Sequence, residues 1–548
     1  MSRYNNTLAA ALLGTTAFAG PAAAELARLA SVPVGAEITG LYLTDAGDLF
    51  MNVQHPATAI TGPYNKATVG YIADADFNGL PAEIEPLSVP QAQHAKQTVN
   101  TALGEYQILA QEGDFSDVVP GGLGAIIAAD GSVLKSSNDP DFNGFIPSGE
   151  NEGYLFTNWE DRPGGMSRMK LVRDEDGHLI VGKALAPQGE DTDSAEVLDV
   201  MMVDFTNVGG TWVNCFGSVS PWNTPLTSEE LYFEATEDWN DPSREDNFND
   251  AQMTRDYMGE ATNPYDYGYI VEITDPTGTP TPVKHYTMGR YSHENAVVMP
   301  DQRTAYLSDD GTDVVFFKFV ADEAGDLSSG TLYAAKATQQ GDPGSDAATT
   351  GFDIEWIELA HASDDEIKGW ISEYAGKPNK VPGQEGSDYI TEEEIAAWAN
   401  GKAEDDRVAF LESRRAAAAK GATAEFRKME GTMINVEAVE SGTAPYVYMS
   451  MSEVAEGMAD DQGDVQLAEN PCGVVYQMRL DDNYNVNQMV PAVAGGPYDE
   501  NNAPNACSVD AISNPDNLIV LDDGRLVIGE DTGLHENNML WIWTPPQA

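Results

Sequence analysis

Residues 289–310, GRYSHENAVVMPDQRTAYLSDD, hold two short apolar runs on either side of the turn-forming Pro300-Asp301-Gln302-Arg303. This reads as a β-hairpin. His293-Glu294 opens it and Asp309-Asp310 closes it, so carboxylates stand at both ends of one short antiparallel unit and can converge on a hard cation. Other acidic signatures lie far off in sequence: Ser228-Glu229-Glu230, Glu430 in RKMEG, and Asp516-Asn517 in NPDN. A site assembled from such distant hairpins points to the blades of a β-propeller.

Further hairpins of the same kind recur along the chain: LYLTDAGDLFMNV, AIIAADGSVL, MKLVRDEDGHLIVG, AYLSDDGTDVVFFKF and LIVLDDGRLVIG. In each, Asp and Gly accept left-handed turn angles while the flanks alternate with period two. So many hairpins indicate an all-β sandwich or propeller. Their uneven spacing fits a β-propeller with loop and helical insertions better than a strict repeat array. The clear helical departure spans about 365–428, where Thr391 is placed to cap TEEEIAAWANGK and RVAFLESRRAAAAK is rich in helix formers. It reads as an insertion within a single propeller domain over 25–548.

Residues 1–24, with Arg3, the apolar run LAAALLGTTAFAG and the small-residue end PAAA, read as a secretory signal. No later apolar run reaches the roughly 18 residues of a membrane span. The expected location is periplasmic or secreted. Among three cysteines, Cys472 and Cys507 are the preferred disulfide pair, leaving Cys215 as a free thiol expected in the core.

A formal net charge of −60 excludes nucleic acid or an anionic membrane as a partner held by bulk charge, and it favours cations. It also repels anionic substrates at long range, so a phosphate site needs locally placed positive charge. Asp74–Glu85 and Asp139–Glu150 both carry calcium-loop spacing, with oxygen side chains at positions 1, 3 and 5, Gly at 6 and Glu at 12. Pro81, Pro147 and strand-like flanks argue against helix–loop–helix hands and leave calcium loops or Asx turns as readings.

Five segments together resemble the PhoX family of secreted alkaline phosphatases: FNGFIPSGENEGYLFTNWEDRPGGMSRMKL, NCFGSVSPWNTPLTSEE, GRYSHENA with YLSDDGTDVVFFKFV, GATAEFRKMEG, and NPDNLIVLDDGRLVIGED. Two positions depart from the family pattern. Asn158-Trp159-Glu160 replaces Asn-His-Glu, and Ser228 replaces the cysteine of Cys-Glu-Glu. The segment GAEITGLYLTDAGDLFMNVQHP, at residues 35–56, resembles one that usually closes the family's chains. This order looks like a circular permutation, which a closed ring tolerates, and it places Glu37 and His55 near the strands ending at Trp543.

The resemblance implies a phosphomonoesterase acting on small organic phosphate esters through cations on the propeller axis. It implies Glu229, Glu294 and Glu430 as metal ligands, Asp516 and Asn517 in an adjoining calcium shell, and Arg427 or Lys428 as the phosphate clamp. Glu37, Asp309 and Glu530 complete the expected metal set. The implied ions are Ca2+ and Fe3+; Ser228 counts against iron, because a neutral hydroxyl is a poor ferric ligand beside a thiolate. The alternative is a calcium-binding propeller that acts as a non-catalytic binding or surface protein.

Overall fold

The computed structural model describes residues 25–185, 196–230, 239, 241–243, 245–375 and 389–546. The proposed signal lies outside these residues. Within them, the strands form six blades of four antiparallel strands each, taken in chain order.

Blade I is Glu37–Leu43, Leu49–Gln54, Thr68–Ala73 and Glu105–Gln111. Blade II is Pro140–Gly149, Glu152–Trp159, Gly165–Arg173 and Leu179–Val181. Blade III is Gly217–Val219, Pro225–Ser228, Ile270–Thr274 and Thr281–His285. Blade IV is His293–Val298, Thr304–Asp309, Phe317–Glu323 and Asp326–Gln339. Blade V is Met429–Met433, Tyr446–Met451, Val474–Arg479 and Gln488–Ala494. Blade VI is Pro515–Val520, Leu526–Glu530 and Met539–Thr544, completed by the N-terminal strand Glu25–Ser31.

The first strand of each blade is the innermost. These six strands neighbour one another in the order I–II–III–IV–V–VI and back to I, so the ring is closed. Leu26 pairs with Trp543 and Ala30 with Leu540, so blade VI takes strands from both ends of the chain. A long strand, Phe352–Ser363, follows the outer edge of blade IV and pairs with blade V at Phe352↔Met489, joining the two into one sheet.

The core consists of seams between blades. Leu29, Ile38, Val53, Val527 and Ile542 fill the VI–I seam; Phe50, Tyr71, Leu155 and Leu171 fill I–II; Phe142, Phe156, Phe216 and Val271 fill II–III. Ile270, Ala296, Leu307 and Phe319 fill III–IV; Val297, Tyr306, Met449 and Tyr476 fill IV–V; Tyr448, Val475, Leu518 and Trp541 fill V–VI. Each blade therefore buries both of its faces. That explains why Leu49–Gln54 and His293–Val298 are buried at every position, although a one-faced sheet would alternate.

Four helices, Asp364–Ser372, Glu392–Ala399, Arg407–Leu411 and Ser413–Ala419, run between blades IV and V and pack on the III–IV seam. Thr391 does cap its helix: its side chain accepts from Glu394 N at 3.3 Å, and Glu394 returns the bond. A further helix, Glu245–Met258, interrupts blade III without an apolar stripe that the sequence would have revealed. The second calcium-loop candidate is no loop. Residues 140–149 form the innermost strand of blade II. In the first, Asp76 accepts from Asn78 N and Gly79 N, an Asx turn. Cys472 and Cys507 form the expected disulfide.

The insertion is latched to the propeller by a buried triad. His285, at the end of blade III, lies 3.0 Å from Glu272 and 3.3 Å from Asp364, the first residue of the insertion helices. Burial alone would lower the imidazole pKa, but its bonds to Asp364 and Glu272 outweigh it and hold the pKa at about 9. The unfolded value is about 6.5, so this contribution, on the order of 3 kcal/mol, is fully present below about pH 6.5 and lost as pH rises through 9. Thermal unfolding should therefore move to lower temperature between pH 6.5 and 9, and His285→Gln should flatten that slope; an unchanged slope would contradict the latch. Separately, Leu29→Ala in the closing strand, where Leu29 is 2% exposed, should cost about 2–5 kcal/mol in denaturant unfolding.

Candidate metal centre

The antiparallel blades give the site a simple rule. The first strand of each blade starts at one mouth of the ring, and the second strand ends there. At first-strand starts stand Glu37, Asp141, Glu294, Glu430 and Asp516, with Cys215 two residues ahead of the blade III strand. Immediately after the second strands come His55, Glu160, Asp310, Ser452 and Asp531, and in blade III Glu230 stands two residues beyond the strand end at Ser228. Twelve polar side chains thus face one end of the axis.

Their atoms converge. Three overlapping groups, Asp141–Glu160–Cys215, Cys215–Glu230–Glu294 and Glu294–Glu430–Asp516, each offer three potential ligand atoms within 4.8 Å of one another. Cys215 Sγ lies 3.3 Å from Glu294 Oε2 and 3.6 Å from Asp141 Oδ2. Close approach of the strands makes this possible. Gly40, at φ +59°, lets blade I lie against blade II, where a Cβ would come within 2.3 Å of the Asp141 carbonyl.

The electrostatics are those of crowded acids. Burial, then mutual repulsion, pushes Asp141, Glu294 and Asp516 well above the usual carboxylate range. Burial and Asp139 raise Glu160 to about 7; burial and Asp310 raise Glu430 to about 7 against the pull of Lys428. Burial also raises Glu37 to about 8, with His55 pulling it down and Asp531 pushing it up. The Cys215 thiol is driven up by burial and then by Asp141 and its neighbours.

The donor set fits hard cations. Oδ1 of Asp141 and the side-chain oxygen of Asn517 are buried without a hydrogen-bond partner, an arrangement that costs free energy unless a cation accepts those lone pairs. Carboxylate oxygens suit calcium, and a single thiolate among them adds affinity for a transition metal such as iron.

Of the residues expected from sequence, Glu37, Glu294, Glu430, Asp516, Asn517 and Lys428 stand at this mouth. Glu37 also lies beside Asp531, which follows the blade VI strand, as the reordered motif implies. Four others are engaged elsewhere. Glu229 accepts from Trp212 N, Gly268 N and Tyr269 N at 3.1 Å each and from Lys284 Nζ at 3.0 Å, so all its lone pairs hold the blade III turn together. Its neighbour Glu230 points to the cluster instead. Glu530 accepts from Ser513 N, Met539 N, Trp541 Nε1 and the His535 ring. Asp309 is clasped by Arg414, and Arg427 is bonded to Glu453 and Thr312. His293 stacks on Tyr291 at 3.7 Å and donates from Nε2 to the Gly289 carbonyl; burial lowers its pKa to about 3, so it is a neutral structural ring.

The thiol assignment is reversed. Ser228 Oγ donates to the Phe216 carbonyl at 2.7 Å, while Cys215, expected in an apolar core, is the sulfur among the carboxylates. Asp141, Glu160 and Glu230 were not singled out as ligands. For Asp141 and Glu160 the signal is positional, the second residue of an innermost strand and the residue just after its partner, whereas Glu230 lies one residue further on and that rule would have picked Glu229.

Residues 191–544 match the family described as alkaline phosphatase PhoX, more than half of the chain. The chain belongs to the PhoX family. Among solved structures, Pseudomonas fluorescens PhoX in complex with vanadate, a transition state analogue, is 21% identical, with 74% of this chain and 77% of that chain covered at a TM-score of 0.49. A putative 6-phosphogluconolactonase from Bacteroides fragilis is 8% identical, with 89% and 76% covered at a TM-score of 0.31. No curated protein sequence matches the chain.

Because like charges crowd the mouth, neutralising one of them should help the metal-free PhoX-family protein. In chelator-treated protein at pH 8, Asp516→Asn is expected to raise stability by about 1 kcal/mol or more. A loss of stability there would show that Asp516 is held by protein contacts and not strained by its neighbours.

Proposed function

We propose that this PhoX-family protein is an exported, metal-dependent phosphomonoesterase that holds Ca2+, with Fe3+ at the thiol, in the acidic mouth of the ring and releases phosphate from small organic phosphate esters. The observation that carries the reading is the delivery of one acidic or thiol group by each of six blades to a single end of the axis, with an ammonium at its edge. Glu294 is shared by two of the candidate ligand groups and Cys215 by two, so these residues would serve more than one cation if neighbouring groups were filled. Cations seated there would neutralise the crowded carboxylates and withdraw charge from a phosphoryl group.

The chain's own residues supply the rest. Lys428 Nζ lies 2.9 Å from Glu430 and 3.5 Å from Asp310, and its side chain is 35% exposed, so it can turn from these acids to an entering phosphate. Glu430 holds the ammonium well above its usual pKa, so it is charged across the working range. A lysine binds phosphate as a point charge without the fork of an arginine. The net charge of −60 repels anions at a distance, and the bound cations with Lys428 reverse that field locally. Export is supported by the Cys472–Cys507 disulfide and by the apolar segment at residues 8–20. No helix among the described residues is long and apolar enough to cross a membrane. The alternative of a non-catalytic binding propeller drew on Ser228, whose hydroxyl donates to the Phe216 carbonyl, on the histidine missing from Asn158-Trp159-Glu160, and on the extreme charge.

Elemental analysis and hydrolysis of a chromogenic phosphate monoester test the proposal together. Calcium and iron should co-purify, chelator should abolish turnover, and calcium should restore it while raising the unfolding temperature; at a hundredfold excess over Kd, mass action gives about 2.7 kcal/mol. Cys215→Ser should remove iron while Ser228→Ala leaves it. An inert protein with full metal content would sink the phosphatase reading.

A further inference from the structure

We infer that Arg414, on the helical insertion between blades IV and V, is a positioning residue for the phosphate-facing ammonium of Lys428. The inference rests on the phosphatase reading and adds to it a part for the insertion.

Arg414 belongs to the helix Ser413–Ala419, outside the propeller. Its Nε lies 3.0 and 2.8 Å from the two carboxylate oxygens of Asp309, its Nη2 bonds the same carboxylate, and Nη2 also donates to the Asp310 carbonyl at 2.8 Å. Asp309 is fully buried, and its second oxygen also accepts from Val315 N at 3.2 Å. A planar fork on a buried carboxylate fixes orientation as well as distance.

The next two residues carry that order to Lys428. Gly311, at φ +142°, passes so close to Arg414 that a Cβ would lie 3.2 Å from Nη2, and its carbonyl accepts from Lys428 N at 2.8 Å. Thr312 pairs with Arg427 and Val314 with Phe426, so the turn after Asp310 and the strand before Lys428 form one small ladder. Lys428 itself sits in the left-handed region at φ +46°, a conformation that a lysine keeps only where its surroundings impose it. Asp310 then faces the ammonium from one side and Glu430 from the other. The same helix end braces the other strand of the hairpin: Ser413 Oγ accepts from Arg290 N at 2.9 Å, three residues before His293. The insertion thus braces both strands of the blade IV hairpin where they meet the site.

The test uses the full-length, metal-loaded protein. Arg414→Gln, Arg414→Lys, Lys428→Ala and the double variant Arg414→Gln/Lys428→Ala are compared by metal content, unfolding temperature, kcat, KM for a chromogenic phosphate monoester, and inhibition by inorganic phosphate. Arg414→Gln should keep its metals, raise KM and the phosphate inhibition constant about tenfold, and change kcat by less than about threefold. Arg414→Lys, which keeps the charge but not the fork, should fall between. The double variant should be no worse than Lys428→Ala alone, because both act through one ammonium. A lowered unfolding temperature with unchanged KM would reduce Arg414 to a docking contact and overturn the inference, as would additive losses in the double variant. Should Arg414→Gln fail to fold, Asp309→Asn removes the other half of the clasp with the same expected outcome. If the parent binds phosphate calorimetrically without turning over ester, the phosphatase reading alone fails and the variants are judged by phosphate affinity. If the parent binds no phosphate, both fail.

Discussion

Like charge gathered at one end of a closed ring is the constraint around which the protein is organised. Glu37, Asp141, Glu294, Glu430 and Asp516 come from five blades and Cys215 from the sixth. None could be brought so near the others in water without cost. What holds them is the set of apolar seams between blades, each burying both faces of its neighbours, together with the strand Glu25–Ser31 that shuts the ring. Seam packing contributes on the order of 25 cal/mol per Å² of apolar surface removed from water, enough over six seams to impose electrostatic strain at one spot. Under the proposed function, a cation seated there would turn that strain into affinity, since the acids are already brought together by the fold.

Around the acidic mouth, carboxylates that converge on one another stand beside carboxylates that hold the fold together. Glu229 and Glu530 are as deeply buried as Glu294, yet each meets several backbone N–H groups or a cationic or ring partner, and so is satisfied by the protein alone. Asp141 and Asn517 retain buried atoms with no protein partner. The difference lies in hydrogen-bond accounting and not in burial or residue type. Adjacent residues can serve different places, as Glu229 in the blade III turn and Glu230 in the acidic cluster do, because successive side chains leave a strand end in opposite directions.

The insertion illustrates how a segment outside the ring is tied to its axis. Its helices attach through His285 and Asp364 at the start and through Arg414 and Asp309 at the end. Both contacts are charged and buried, so they fix geometry more than they add stability. The second continues through Asp310 and Gly311 to the lysine at the mouth, so the outer seam and the axis are joined by a short run of contacts.

By itself, the sequence determined the hairpin pattern, the cation-seeking charge, the disulfide pair, the Thr391 cap and several of the axial acids, because each is written in local spacing or in residue type. The propeller followed from the number of hairpins, since short alternating strands with Asp-Gly turns have few ways to bury their faces. Tertiary structure alone decided which acids meet. Glu229 reads as a ligand until Lys284, 55 residues later, is seen against it, and Cys215 reads as a core thiol until blades II and IV bring Asp141 and Glu294 to its sulfur. Residues 139–150 carry calcium-loop spacing, but pairing with Glu152–Trp159 makes them a strand and leaves Asp141 at the axis. Strand register and ring closure are long-range properties, and no window of sequence contains them.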